Sequence, residues 1–177
     1  MERFRYNPLV IHQAGVQGGM MTSKHPTVAG TGEAQSTMTR QQMHDFIKRR
    51  WDAYEDLDAA ALAADYAQDA VIESPTAGVH TGPEAAERAF RVIFKAFLDL
   101  TTTVDNVVVD GNNAVAVLLL EGTHIGEFLG IPPTGKRFSM PAVFFYQIEN
   151  GMIVRERRIY DFTGLLVQIG ALKAKPA

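Results

Sequence analysis

Two strand-like runs flank a short turn in the stretch 137-RFSMPAVFFYQIENGMIVRERRIY-160. The turn, Asn150-Gly151, is the strongest short hairpin signal in the chain, because both central residues of a type I′ turn need a positive φ. The sequence therefore predicts a strand from Arg137 to Glu149 and an antiparallel return strand from Met152 to Tyr160.

Two further strands are expected before this hairpin. Residues 101–109 are rich in β-branched side chains and end at a cluster of turn residues, Asp110-Gly111-Asn112-Asn113. Residues 114–121 form a nearly continuous apolar run, which predicts a strand covered on both faces. A loop rich in Gly and Pro, residues 126–136, then leads into the hairpin. Four consecutive strands predict an antiparallel meander.

Helical patterns dominate the residues before Leu100. Thr39 to Gln42 fits a capping box, and an apolar stripe follows at helical spacing: Met43, Phe46, Ile47, Trp51 and Tyr54. Asp58 is expected to cap a second, short helix on which Leu62 and Tyr66 share a face. A short strand over residues 70–74 comes next, and Thr81 to Glu84 is expected to be the capping box of a third helix.

The order of these elements predicts an α+β fold. We expect a curved antiparallel sheet wrapped against three N-terminal helices and closed by a short helix from Phe162 to Leu172. Such a sheet forms a cone with one open end, which is a natural site for a small apolar ligand.

The chain has 177 residues, of which 46% are hydrophobic and 21% charged, with a net charge of −3 and no cysteine. This composition is ordinary for one globular domain, which the regular patterning places at residues 38–177. Residues 1–37 lack sustained periodicity and are expected to form a disordered or loosely docked N-terminal extension. A docking arm that crosses to a partner subunit is the alternative for this segment.

Several partners and cofactors are not expected from the sequence. No histidines show metal-ligand spacing and no Gly-rich loop joins a strand to a helix, so neither a metal nor a nucleotide cofactor is expected. The mildly acidic charge disfavours nucleic acid, and no apolar run approaches the roughly 20 residues that span a membrane. Without a recognisable signal or anchor, a cytoplasmic location is the simplest expectation.

The run 122-GTHIGEFLGIPPTGK-136 resembles the signature of the SnoaL-like polyketide cyclases, within the nuclear transport factor 2-like superfamily. Three later segments are similar to the same group: Asn150 to Val154, Tyr160-Asp161, and Gly164 to Gly170. The resemblance implies the cone-shaped fold, a homodimer, a small hydrophobic ligand and no cofactor. It also implies a polyketide cyclase-like or ketosteroid isomerase-like enzyme that transfers protons on a hydrophobic ring compound bearing a carbonyl group.

Asp161 matches the acid/base carboxylate of these cyclases at the end of the last strand. A carboxylate of tuned pKa suits the removal of a proton next to a carbonyl group and its return elsewhere. Alternatively, Asp161 caps the final helix. The cyclases pair their aspartate with a histidine on the preceding strand, but residues 137–149 contain none. That difference supports a second hypothesis, a non-catalytic module that binds a small apolar ligand.

Other polar residues are candidates for the same site, and each has a structural alternative. His124, near the Gly/Pro loop, is a candidate second acid/base or a residue that hydrogen-bonds the loop. Tyr54 and Tyr66 are candidates to position a ligand carbonyl or simply to pack in the core. Alternation along the last strand places Arg157 on the face of Asp161 and makes it a ligand-binding candidate.

The opposite face of the last strand is expected to be the dimer surface. It carries Val154, Glu156, Arg158 and Tyr160. His80, in the turn before the third helix, is expected to face solvent.

Overall fold

The computed structural model describes residues 38–173, so the predicted extension over residues 1–37 lies outside the described residues. The described part contains four helices and six strands in the following order: α1 (Arg40–Glu55), α2 (Ala59–Ala63), β1 (Tyr66–Ser74), β2 (Gly78–Thr81), α3 (Pro83–Ala96), β3 (Thr101–Asp110), β4 (Asn113–Thr123), β5 (Arg137–Glu149), β6 (Met152–Tyr160) and α4 (Phe162–Gln168).

The six strands form one curved, unclosed sheet in the order β2-β1-β6-β5-β4-β3. Strands β3 to β6 are the predicted antiparallel meander, and the turn residues Asn150 and Gly151 have φ values of 51° and 76°. The β1–β6 pair is parallel, so the sheet is not antiparallel throughout. The α+β fold with a curved sheet against helices is confirmed.

Local hydrogen bonds confirm two of the predicted helix starts. The Thr39 hydroxyl accepts from the backbone N–H of Gln42, and the Gln42 amide oxygen accepts from the N–H of Thr39. Asp58 caps α2 by accepting from the N–H of Ala61. The apolar stripe of α1 is buried as predicted, although Arg50 is buried beside it.

Other local predictions are wrong. Tyr66 begins β1 instead of ending α2, and Gly82 is the N-cap of α3 without any side-chain hydrogen bond. The four-residue strand β2 replaces the expected turn before α3. On β4, one face is buried and the other is only half-buried, so the sheet is not covered equally on both faces.

The face assignment along β6 is also wrong, and a β-bulge explains the error. Ile148 pairs with Ile153, but the next pair is Gln147 with Arg155, so β6 contains one extra residue at this point. One extra residue moves every later side chain to the other face. Consequently Glu156 and Arg158, which were expected on an outer dimer surface, are buried in the interior, and Arg157 is exposed.

An apolar core that contains several packed aromatic rings fills the space between the sheet and helices α1 and α3. Trp51 packs edge-on against Phe144 at 5.2 Å between ring centroids, and Tyr54 packs against Phe94 at 5.2 Å. Aromatic pairs at these distances stabilise a core beyond the area that they bury. This core forms one end of the cavity described below.

Candidate functional site

A cavity lies between the concave face of the sheet, helix α3 and the closing helix α4. Its volume is about 40 Å³, or about 480 Å³ when the narrow gaps between atoms and the part open to solvent are included. A ligand with several rings would therefore have to displace wall side chains. Nine apolar residues line it: Ile93, Phe97, Leu100, Leu120, Phe128, Phe138, Met140, Phe144 and Leu165.

Four polar residues also line the cavity: Tyr54, Thr76, Arg158 and Tyr160. Three hydroxyl groups form a cluster at one edge, because the Tyr160 oxygen lies 2.8 Å from Thr76 Oγ1 and 2.9 Å from Ser74 Oγ. Tyr54 belongs to α1, and burial raises the pKa of its phenol well above the ordinary value. Its hydroxyl is therefore a neutral hydrogen-bond donor at all physiological pH values.

Arg158 is the charged group of the cavity, and its side chain is only 3% exposed. Its Nε donates to Glu156 Oε1 at 2.5 Å, and its guanidinium lies over the rings of Phe90 and Phe144, at 4.9 Å and 5.5 Å from their centroids. Aromatic faces attract a cation electrostatically, most strongly when it is desolvated. The carboxylate and the two rings together hold the guanidinium at the cavity wall.

Glu156 is fully buried and connects Arg158 to a second ion pair. Its Oε2 accepts from the Tyr66 hydroxyl and lies 3.9 Å from Nη2 of Arg50, which itself pairs with Asp65 at 2.9 Å through Nη1. Burial alone would raise the pKa of Glu156, but Arg158 and Arg50 hold this pKa below its ordinary value. The buried part of the network therefore contains two cations and two carboxylates, and the exposed Arg49 also pairs with Asp65 at 2.7 Å.

Asp161 follows the cavity residue Tyr160 and caps α4, whose Leu165 also lines the cavity. Its Oδ1 accepts from the backbone N–H of Gly164 at 2.7 Å, and the residue is exposed. Gly164 leaves room for this carboxylate, since a Cβ there would lie 2.2 Å from Oδ2. The carboxylate is thus exposed to water, and Asp161 lies in sequence between the lining residues Tyr160 and Leu165 without lining the cavity itself.

His124 is fully buried behind the cavity wall. Its ring lies 5.6 Å from that of Phe97, and its Nδ1 is 3.1 Å from Thr134 Oγ1. Its backbone carbonyl accepts from the N–H groups of Thr134 and Gly135, so the residue fixes the Gly/Pro loop. Burial lowers the pKa of His124, which makes the neutral imidazole its normal form.

The site residues predicted from the sequence lie in different parts of the structure. Tyr54 lines the cavity, whereas Asp161 is exposed outside the lining and His124 and Tyr66 are buried without lining it. Arg157 is outside, on the exposed face of the sheet, where its Nε lies 3.4 Å from Glu73. His80 does not face solvent as expected, because both of its ring nitrogens are buried without a hydrogen-bond partner in the described structure.

Sequence reasoning assigned no site role to Thr76, Arg158 or Tyr160. A single extra residue in β6 put Arg158 and Tyr160 on the inner face, and nothing in the pattern MIVRERRIY marks where that residue falls. Within residues 38–173, no three His, Asp or Glu side chains are grouped as metal ligands would be, and no helix is long and apolar enough to cross a membrane.

Comparison with known proteins identifies the family. Residues 37–169 match the SnoaL-like polyketide cyclases. The chain is 34% identical over 108 residues to nogalonic acid methyl ester cyclase of Streptomyces nogalater, covering 60% of this chain and 78% of that protein. It is 32% identical over 91 residues to aklanonic acid methyl ester cyclase DnrD of Streptomyces peucetius, covering 50% and 62%.

A solved structure agrees with these sequence matches. TsrD from Streptomyces laurentii superimposes with a TM-score of 0.68 at 30% identity, over 76% of this chain and 99% of that one. The match to the family covers both the Gly/Pro loop and the segment from the hairpin to α4. The chain therefore belongs to the SnoaL-like polyketide cyclase family.

Proposed function

We propose that this protein closes a carbon ring in a hydrophobic polyketide by acid/base proton transfer, with Asp161 as the acid/base. The observation that carries the proposal is the apolar, aromatic cavity in a chain of the cyclase family, with Asp161 directly after the lining residue Tyr160. Relatives named for nogalonic and aklanonic acid methyl esters suggest esters of this kind as substrates.

The chemistry needs one carboxylate that acts twice. Asp161 removes a proton from a carbon atom next to a carbonyl group, and the electron pair moves to the carbonyl oxygen to give an enolate. The enolate carbon attacks a second carbonyl carbon of the same molecule, which forms the new carbon–carbon bond and an alkoxide. The alkoxide then takes the proton back from Asp161, so no proton is gained or lost and no cofactor takes part.

Apolar walls favour this chemistry for two reasons. Side chains such as Phe97, Phe128 and Phe138 exclude water, which would otherwise compete for protons and stabilise the open chain. They also hold a flexible chain in a folded shape, so that the two reacting carbons stay close together. Leu165 lines this space and belongs to α4, the helix that Asp161 caps, which supports a position for Asp161 near the bound chain.

The test is turnover of nogalonic acid methyl ester and aklanonic acid methyl ester, followed by chromatography and mass spectrometry. Asparagine caps helices as well as aspartate does, so Asp161→Asn should keep the fold and abolish ring closure. Asp58→Asn is a matched control, because Asp58 caps α2 through the same hydrogen bond to the residue three positions on. Full activity in Asp161→Asn would refute the proposed role.

A second candidate function rests on the position of the same carboxylate. Asp161 is exposed and its Oδ1 already accepts a helix N–H, which is what a purely structural cap would show. On this hypothesis the protein binds a small apolar ligand without converting it. Binding of either ester with no product after prolonged incubation, and equal binding by Asp161→Asn, would favour this candidate.

A homodimer is also part of the proposal. The outer face near the β1–β2 turn exposes Val79 and Ile159, at 71% and 58%, and both line one shallow groove together with Arg157 and Glu73. Exposed apolar side chains framed by ion pairs are typical of a protein interface. We therefore place the dimer contact on this face instead of the face predicted from the sequence.

A further inference from the structure

We propose that the Tyr54 hydroxyl and Nη1 of Arg158 together bind one ligand oxygen, the carbonyl oxygen that becomes the enolate. This inference rests on the proposed function and adds the part of the ligand that the cavity recognises. The ligand class is a planar, apolar ring compound with an acidic or enolisable oxygen at one end. No catalytic role was predicted for Arg158.

The first observation is that both groups have unused hydrogen-bonding capacity. Arg158 donates through Nε to Glu156, and its Nη2 lies 3.4 Å from the Tyr66 oxygen, whereas Nη1 has no partner among the described residues. The Tyr54 hydroxyl likewise has no hydrogen-bond partner in that part of the chain, although the residue is only 4% exposed. Both donors are therefore available to bond an oxygen atom of a ligand in the cavity.

The second observation is the shared position of the two groups. Both residues line the cavity, and both pack on the Phe90 ring, with the guanidinium of Arg158 4.9 Å and the Tyr54 ring 6.0 Å from its centroid. The two residues therefore lie close to one another in the cavity wall. The remaining polar wall residues, Thr76 and Tyr160, are already bonded to each other.

The third observation is that both groups are fixed before a ligand arrives. Arg158 is held by Glu156 and two aromatic rings, and Tyr54 is wedged between Trp51, Phe90 and Phe94. Donors that are already oriented in a dry site stabilise a developing negative charge far better than mobile, hydrated donors do. Glu156 and Tyr66 act here as positioning residues.

The partial neutralisation of Arg158 favours an enolate over a fixed anion. Glu156 already balances one cation of the network, so the site lacks the full positive charge that would capture any carboxylate. A neutral carbonyl oxygen can enter, and the donors strengthen their bonds as charge develops on it. The two hydrogen bonds are thus stronger in the transition state than in the bound substrate, and this difference accelerates the reaction.

Binding of 2-naphthol, measured by equilibrium dialysis, tests the donor pair without any need for turnover. This compound presents a planar apolar ring with an acidic oxygen, and 2-methoxynaphthalene and naphthalene lack the acidic group. We expect wild type to bind 2-naphthol at least tenfold more tightly than either control. Tyr54→Phe and Arg158→Lys should each reduce that preference to threefold or less, and Tyr146→Phe, which removes a buried hydroxyl that does not line the cavity, should leave it unchanged.

Equal binding of the three compounds by wild type would overturn the proposal, and so would failure of all three to bind. A preference that survives either Tyr54→Phe or Arg158→Lys would also overturn it, because the donors are proposed to act together. The ester assay separates this result from the proposed function. Cyclisation that depends on Asp161 without any preference for 2-naphthol would leave the cyclase proposal standing and remove only the donor pair.

Discussion

Replacing Glu156 by glutamine should destabilise the protein strongly, because it removes the carboxylate that balances a buried guanidinium. Arg158 is 3% exposed and has no other carboxylate within salt-bridge distance among the described residues. Breaking a buried ion pair by removing one partner costs about 3–5 kcal/mol. The glutamine amide can still accept one hydrogen bond from Nε, so we expect a loss of about 3 kcal/mol.

That loss is large enough to measure in two ways. Urea unfolding can be followed through Trp51, the only tryptophan of the chain, which lies in the core against Phe144. Unfolding entropies near 2.1 cal/mol/K per residue, over the 136 residues from 38 to 173, convert 3 kcal/mol into a fall in Tm of roughly 10 °C.

Two comparisons decide whether the reasoning is correct. Glu87→Gln removes a carboxylate from an exposed pair with Arg91 and should change stability by less than about 0.5 kcal/mol. The double variant Glu156→Gln/Arg158→Met removes both charges and should be more stable than Glu156→Gln alone. A loss below about 1 kcal/mol in Glu156→Gln, or no recovery in the double variant, would refute the account of the network.

Three further predictions follow from described contacts. The pKa of Glu156 is lowered in the folded state, so the stabilisation from its charge is fully present above pH 4.5 and is lost as the pH falls through the folded pKa. Plots of unfolding free energy against pH for wild type and Glu156→Gln should therefore converge below pH 4.5. Parallel curves would contradict this. Gly126→Ala should lower the free energy of unfolding, measured in urea, by about 2 kcal/mol, because the added Cβ would lie 2.1 Å from the Lys95 carbonyl oxygen. An unchanged urea midpoint would contradict the packing described. Wild type should sediment as a dimer at micromolar concentration, and Ile159→Asp should sediment as a monomer. Leu98→Asp, at a similarly exposed position, is the control and should remain a dimer. A monomeric wild type would contradict the proposed interface.

Most features that depend on neighbouring residues were predictable from the sequence, although the capping box expected at Thr81 to Glu84 is absent. The Thr39 capping box, the Asp58 cap and the Asn150-Gly151 hairpin each form through contacts a few residues apart, and all are present. Strands β5 and β6 have the predicted bounds, because clear turn and loop signals flank them. The family signature also predicted the fold correctly, since its residues shape the Gly/Pro loop.

Features that depend on register between distant strands were not predictable. Side chains along β6 do alternate between the two faces of the sheet, but the bulge near Arg155 puts Glu156, Arg157 and Arg158 on the faces opposite to those predicted. Tyr66 fits a helical spacing after Leu62, yet pairing with Ile153 draws it into β1. The buried position of Arg50 likewise depends on Asp65 and Glu156, which no local pattern connects to it.

Hydrogen exchange in the substrate reports directly on the proposed role of Asp161. In D₂O, wild type should place deuterium on the carbon next to the reacting carbonyl group of nogalonic acid methyl ester, as detected by mass spectrometry, if Asp161 removes that proton as proposed. Loss of a positioned acid/base lowers such rates by about 10²–10⁴. We expect Asp161→Asn to slow this exchange at least 100-fold and Asp58→Asn to leave it unchanged, and equal exchange by wild type and Asp161→Asn would contradict the proposed role.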